Sequence, residues 1–280
     1  MLKTILVITL RVGLTIGIGF ALILFLMQDS MIYMPTSYRD EELAVFKQEG
    51  GERMSFETGE GKQTAFYLPP AVGDIEPEKI WIVSGGNGAR ALDYMDTLQG
   101  WHAKWAFLFI DFPGYGLCEG DPSPKTIREN TTQAIEDVAK KWGWDDMMIS
   151  ERFCAFGHSI GSAAVLRAAA DFGMRRAIVV APFTTMMEMA KASIGSPFCY
   201  CLRHRFDNEE SLEALQKIGA EVTIFHGEND RIIPVGMSRR LARDFAEIVT
   251  YEEVKGGDHN RIVGMLKSRL KEEATGAGKP

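Results

Sequence analysis

Arg152-Phe153-Cys154-Ala155-Phe156-Gly157-His158-Ser159-Ile160-Gly161-Ser162-Ala163-Ala164 reads as an apolar strand, a glycine-flanked turn and the start of a helix rich in small residues. Its centre, Gly157 to Gly161, matches G-x-S-x-G. The pattern has a steric reason. A serine raised above a sheet edge sits on a tight, strained turn, and glycines two residues either side let strand and helix approach. The plain alternative is an ordinary glycine-rich strand-to-helix turn. The strand before and the helix after are what lend the match weight.

The same alternation repeats on either side of it. Lys79–Val83 is a short apolar run ending in Ser84-Gly85-Gly86-Asn87-Gly88. Ala106–Asp111 is a second, ending in Pro113-Gly114-Tyr115-Gly116. Ala177–Ala181, Glu221–Phe225 and Val249–Val254 follow the serine turn. Helical segments, among them Thr126–Trp142, Ile160–Phe172 and Met237–Phe245, lie between. Nearly continuous apolar strands separated by helices predict an α/β fold with a mostly parallel central sheet and helices on both faces. Glu52–Glu57 and Thr64–Leu68 predict an antiparallel hairpin at one edge. Lys267–Pro280 reads as a frayed helix and tail.

A serine hydroxyl is a weak nucleophile and needs a base. Of the five histidines, His158 lies within the turn and points away, while His102 and His204 follow no strand end. His226 reads as a turn or core histidine. His259 follows the last strand in Gly256-Gly257-Asp258-His259-Asn260, a loop able to deliver an imidazole to Ser159. The acid that orients it is sought in His226-Gly227-Glu228-Asn229-Asp230, with Asp230 preferred and Glu228 second. The catalytic set is therefore Ser159, Asp230 and His259, each after its own strand and in that order. An oxyanion needs two donors: the Ile160 N–H, just past the serine, and the Asn87 N–H from the glycine-rich loop. That loop lacks the Lys-Ser/Thr of a phosphate-binding loop and the spacing of a dinucleotide fingerprint, so no cofactor is expected.

Composition narrows the partners. With 280 residues, 46% apolar, 25% charged and net charge −7, the chain is an unlikely match for nucleic acid, which a basic patch would serve. The four cysteines, Cys118, Cys154, Cys199 and Cys201, are too few for a disulfide scaffold. Cys199 and Cys201 near His204 lack a second ligand pair, so no metal is expected. Whether that pair is bridged stays open.

Thr4 to Met27 is apolar or small except for Arg11, and Val12 to Met27 carries no charge. That run spans about 24 Å as helix, and Thr4–Leu10 lengthens it if Arg11 snorkels. Lys3 and Arg11 precede it and acids follow it, which places the N-terminus in the cytosol and the body on the non-cytoplasmic side of a single-pass protein. A cleaved signal peptide is the rival, though no Ala-x-Ala-like site follows. A buried core helix is a third reading. Tyr33 is expected in an interfacial aromatic belt. Residues 1–30 are thus an anchor and 31–280 a catalytic domain.

Six stretches together carry a family resemblance over roughly residues 50 to 265: Gly85–Gly88, Asp111–Gly116, Gly157–Gly161, Ala181-Pro182-Phe183-Thr184, His226–Asp230 and Gly257–His259. The chain resembles the serine hydrolases of the α/β-hydrolase superfamily. It is most similar to a membrane-anchored α/β-hydrolase-domain subgroup that includes acyl-protein thioesterases, in its Tyr33-Met34-Pro35 element and Arg205-Phe206-Asp207-Asn208. It departs from that subgroup at Gly85, where a histidine is usual, and at Cys118, where many relatives have serine. The resemblance implies cleavage of an acyl ester or thioester through an acyl-enzyme. The implied substrate is a small molecule or lipid acyl compound, acylated proteins included. A peptidase with the same three residues and a membrane-tethered binding protein without catalysis are the alternatives. Met186–Asn208 is a candidate lid.

Overall fold

The computed structural model describes residues 1–73 and 75–277. Eleven helices are seen among them: α1 (Leu2–Ile32), α2 (Asp40–Gln48), α3 (Met95–Leu98), α4 (Pro124–Trp142), α5 (Asp146–Arg152), α6 (Ile160–Phe172), α7 (Met186–Ile194), α8 (Asn208–Lys217), α9 (Val235–Asp244), α10 (Ile262–Met265) and α11 (Lys267–Thr275). The strands are β1 (Glu52–Thr58), β2 (Gly61–Leu68), β3 (Lys79–Ser84), β4 (Trp105–Ile110), β5 (Phe153–His158), β6 (Arg176–Val180), β7 (Glu221–Gly227) and β8 (Val249–Val254). They form one sheet in the order β1-β2-β4-β3-β5-β6-β7-β8. From β4 to β8 every neighbour is parallel, and the β1–β2 hairpin adds to β4 antiparallel.

The continuous apolar runs follow from burial on both faces. In β3, Ile80 and Ile82 enter one core cluster and Trp81 and Val83 the other. In β5, Phe153 and Ala155 alternate with Cys154 and Phe156 in the same way. The first cluster is closed by α4, α6, α8 and α9, through side chains such as Val138, Leu166, Leu215 and Leu241. The second is closed by α2, α3, α10 and α11, through Phe46, Leu98, Ile262 and Leu270. Each such side chain contributes about 1.5–3 kcal/mol on burial.

Local sequence sets the helix ends. Helix α4 begins two residues ahead of the expected Thr126, because the Ser123 hydroxyl accepts the Thr126 N–H and Pro124 occupies the first turn, where a missing N–H does no harm. Its end is Gly143 in the left-handed region. The last helix stops at Thr275, and residues 278–280 of the expected tail lie outside the described residues. Helix α1 is long and apolar enough to cross a membrane, and the body does not bury it, which excludes the core-helix reading.

The chain moves one way from β3 to β4 and the other way to β5. Loops at the carboxyl ends of β3 and β5 therefore splay apart and leave a crevice. Ser84-Gly85-Gly86 and His158-Ser159 border it.

Candidate active site

Ser159 lies between β5 and α6 with φ 56° and ψ −125°, a strained combination for a residue with a side chain. Its N–H donates to Val180 O at 2.9 Å, so the end of β6 holds the turn in place. The requirement for Gly161 is direct. A Cβ there would lie 2.4 Å from the carbonyl oxygens of both Ser84 and Gly85. Helix α6 thus rests on the backbone at the end of β3, which aims the serine into the crevice.

His259 arrives on the loop after β8. Its Nε2 is 2.9 Å from Ser159 Oγ and its Nδ1 is 2.6 Å from Asp230 Oδ2. Asp230 follows β7, and its Oδ1 accepts the Ile232 and Ile233 N–H groups at 2.8 and 2.9 Å. Burial by itself raises the Asp230 pKa. Hydrogen bonds from His226, His259 and the Ile233 N–H outweigh that and hold the carboxyl well below the ordinary range. Asp230 is therefore an anion facing a ring nitrogen. Glu228 instead accepts the Gly256 N–H at 3.2 Å and bonds only the backbone of the loop.

His226 is more than a core histidine. It is buried, and its Nε2 lies 3.2 Å from Asp230 Oδ2 and 3.1 Å from Ile233 O. Its Nδ1 meets the Ser238 hydroxyl at 2.7 Å. Asp230 is thus gripped by two imidazoles, of which one also reaches the serine.

Ile160 opens α6, so its N–H belongs to the first turn, whose donors have no acceptor within the helix. Asn87 lies beside it at the cavity floor. The Asn87 carbonyl accepts the Met34 N–H at 2.9 Å and the Tyr115 hydroxyl at 2.6 Å. Those bonds tie Asn87 to the segment after α1 and to the Asp111–Gly116 stretch. Tyr115 thereby gives the Asp111–Gly116 stretch a purpose, and Asp111 Oδ1 accepts the Ala91 N–H just past the loop at 2.7 Å. Gly85 has a packing reason as well: a Cβ would sit 3.0 Å from Ala89 O and 3.1 Å from Tyr94 Cε2.

A further network is not legible in the sequence. Tyr94 Oη accepts the Gly86 N–H at 3.3 Å and meets His158 Nδ1 at 2.8 Å; His158 Nε2 meets the His259 carbonyl at 3.0 Å. Burial first, and the nearby His259 second, push the His158 pKa down to about 3. Neutral His158 therefore donates from Nε2 to the His259 carbonyl and accepts the Tyr94 proton at Nδ1. This chain of bonds ties the glycine loop, the serine turn and the His259 loop together. Tyr94 comes from a short helical turn 64 residues before His158, with no spacing signal to join them.

Above Ser159 is a cavity of about 240 Å³. Its walls come from α7, the Phe198–Cys201 turn and, unexpectedly, the end of α1. Within the candidate lid, Met186 to Leu202 supplies residues of the cavity wall. Thr185 caps α7 through the Glu188 N–H and Asp207 caps α8 through the Glu210 N–H. Thr185 pairs with Asp207 as an isolated bridge, and Asn208 Nδ2 donates to Phe183 O at 2.7 Å. Tyr33 is buried rather than interfacial, with its hydroxyl 3.2 Å from His204 Nδ1. The reason is that α1 ends against the body, so the next residue is already in its core. All four cysteines are free. No group of three or more His, Cys, Asp or Glu is arranged to hold a metal among the described residues.

A mostly parallel sheet, an antiparallel entry hairpin and a strained serine between β5 and α6 define the α/β-hydrolase fold. Solved structures agree: an esterase from Pyrococcus furiosus aligns with TM-score 0.64 and 14% identity over 88% of this chain and 96% of that one. Est1E from Butyrivibrio proteoclasticus aligns with TM-score 0.60 and 18% identity over 80% and 98%. The chain is similar to human alpha/beta hydrolase domain-containing protein 17B, 26% identical over 164 residues, or 58% of this chain and 54% of that protein. It thus spans about half the length of that relative. An uncharacterized protein of Mycobacterium tuberculosis is 26% identical over 213 residues, 75% of this chain and 73% of that protein. No protein-family model matches the chain.

Proposed function

We propose that the chain is a serine hydrolase that cleaves an acyl ester or thioester through an acyl-enzyme, with Ser159 as nucleophile, His259 as base and Asp230 as the orienting anion. The observation that carries the reading is the unbroken line Asp230–His259–Ser159, 2.6 and 2.9 Å long, at the floor of an apolar cavity. His259 Nε2 takes the Ser159 proton as Oγ bonds to the substrate carbonyl carbon. The oxygen that gains charge lies between the Ile160 and Asn87 N–H groups. The carbonyl reforms, the alcohol or thiol leaves with the proton from Nε2, and the acyl group stays on Oγ. Water then repeats the sequence and releases the carboxylic acid. No cofactor or metal takes part.

The apolar lining favours an acyl chain over a peptide, which sets the peptidase reading second. Residues 1–30 serve as a single-pass anchor and 31–280 as the catalytic domain on the non-cytoplasmic side; the membrane and an acyl substrate are the partners, and nucleic acid is not. Labelling with a fluorophosphonate probe tests the reading. Wild type should carry the probe on Ser159, and Ser159→Ala should lose labelling and about 10⁶ in kcat. Probe on Ser162, whose hydroxyl is occupied with the Gly157 and Val180 carbonyls, would overturn the assignment. An unlabelled wild type would favour the non-catalytic binding protein.

A further inference from the structure

The cavity over Ser159 and the apolar helix are one structure. Leu24, Met31 and Ile32 of α1 face Met186, Met189 and Ile194 of α7 across it. The half-buried or buried positions of α1 are Gly17, Gly19, Ala21, Leu24, Gln28 and Ile32. Apart from Gly19 they recur at helical spacing and form one stripe. The other faces expose Leu14, Ile16, Ile18, Leu22, Ile23 and Leu26, as a span in lipid does.

The turn Phe198–Cys201 fixes the depth. The Phe198 ring meets Phe20 edge-on, with centroids 4.8 Å apart. Phe20 lies about 12 Å back along the helix from Gln28, inside the charge-free run that ends at Met27. The turn therefore dips below the level at which the span ends, with Tyr200 exposed at its tip. Non-helical backbone survives at that depth only when its polar groups are paired, and several here are. Cys199 N–H donates to Gly195 O, Tyr200 N–H to Pro197 O and Leu202 N–H to Cys199 O. Gln28, the polar residue in the stripe, pairs two more: its amide donates to Cys201 O at 3.4 Å and accepts the Arg203 N–H at 2.6 Å. One residue on, Asp29 pairs with Arg203 at 2.8 Å and with His204, polar groups suited to the head-group level.

We propose that this cavity is an acyl channel open sideways to the bilayer, and that the substrate is a long-chain acyl ester or thioester that remains in the leaflet while its carbonyl reaches Ser159. The inference rests on the serine hydrolase reading and adds the substrate class and its route. Passage through water would disfavour a chain by about fourfold per methylene; a side opening between α1 and the turn avoids that. The helix is then a wall of the site as well as an anchor. A lipid ester and an S-acylated peptide present the same chemistry.

The test uses the full chain in phosphatidylcholine vesicles. Turnover of a long-chain monoacylglycerol and of an S-palmitoylated peptide, each embedded in the same vesicles, separates the two sources. Among p-nitrophenyl esters, kcat/KM should climb by up to about fourfold per methylene until the channel is full. Leu24→Trp and Ala190→Trp, from opposite walls, should each move that plateau to shorter chains, with fluorophosphonate labelling reporting that the variant has folded. Phosphatidylcholine carrying a diazirine midway along its acyl chain should crosslink to residues 195–203. A flat chain-length profile, an equal loss at every length in both variants, turnover of neither embedded substrate, or crosslinks confined to residues 12–27 would each overturn the channel. A wild type that fluorophosphonate does not label sinks the hydrolase reading, whereas a labelled wild type with a flat profile sinks the channel alone.

Discussion

Asp230→Asn changes charge without changing shape, and the structure dictates which way the amide must lie. Oδ1 of Asp230 receives the N–H groups of Ile232 and Ile233 at 2.8 and 2.9 Å. An NH₂ group there would face two donors, so the amide oxygen has to take that place. The NH₂ then occupies the position of Oδ2, 2.6 Å from His259 Nδ1 and 3.2 Å from His226 Nε2. A donor at that point drives the His259 proton from Nδ1 to Nε2. The nitrogen 2.9 Å from Ser159 Oγ then carries hydrogen and has no lone pair for the serine proton. A wrong tautomer of this kind lowers kcat by about 10⁴, equivalent to roughly 5.5 kcal/mol of barrier. Steady-state hydrolysis of a p-nitrophenyl ester by full-length protein in detergent measures it, with KM expected to change little because the acyl cavity is untouched. Glu228→Gln, made in parallel, should retain turnover, since that carboxylate reaches only the Gly256 N–H. Near-normal turnover in Asp230→Asn together with an inactive Glu228→Gln would move the acid to Glu228. An inactive His226→Ala beside an active His259→Ala would replace the base.

Two further outcomes follow from the packing beneath the site. Gly161→Ala forces a Cβ to within 2.4 Å of two carbonyl oxygens, so it should lower stability by at least about 1–3 kcal/mol and activity further, as read by thermal unfolding and ester turnover; an unaltered Tm would show that α6 does not rest on β3. His158 is neutral in the fold, with its pKa pushed down to about 3, but binds a proton in the unfolded chain. Its contribution to stability is complete above about pH 6.5 and is lost as pH falls from there towards 3, amounting to about 2 kcal/mol at pH 5. Denaturant unfolding of wild type and His158→Gln should show this acid-side slope in the first and a flatter one in the second; equal slopes would exclude His158 as its source.

The alternation of strand and helix, the serine turn and the order of Ser159, Asp230 and His259 are legible along the chain, because each depends on neighbours in sequence. Burial on both faces leaves continuous apolar runs, and a strained turn demands glycine at fixed offsets. Gly85 and Tyr115 already stand in recognisable loops, although their partners do not. What tertiary structure alone decided involves residues far apart. Tyr94 reaches His158 across 64 positions and Gln28 reaches Arg203 across 175. Tyr33 looks interfacial by composition, yet α1 ends against the body and buries it. The apolar run of α1 announces a membrane span from its hydropathy, but hydropathy is the same on every face of that helix. Only its docking on the Phe198 turn, with α7 across the cavity, selects the stripe at Leu24, Gln28 and Ile32 that closes the cavity over Ser159, because that choice rests on shape and hydrogen bonding between segments that local sequence does not couple.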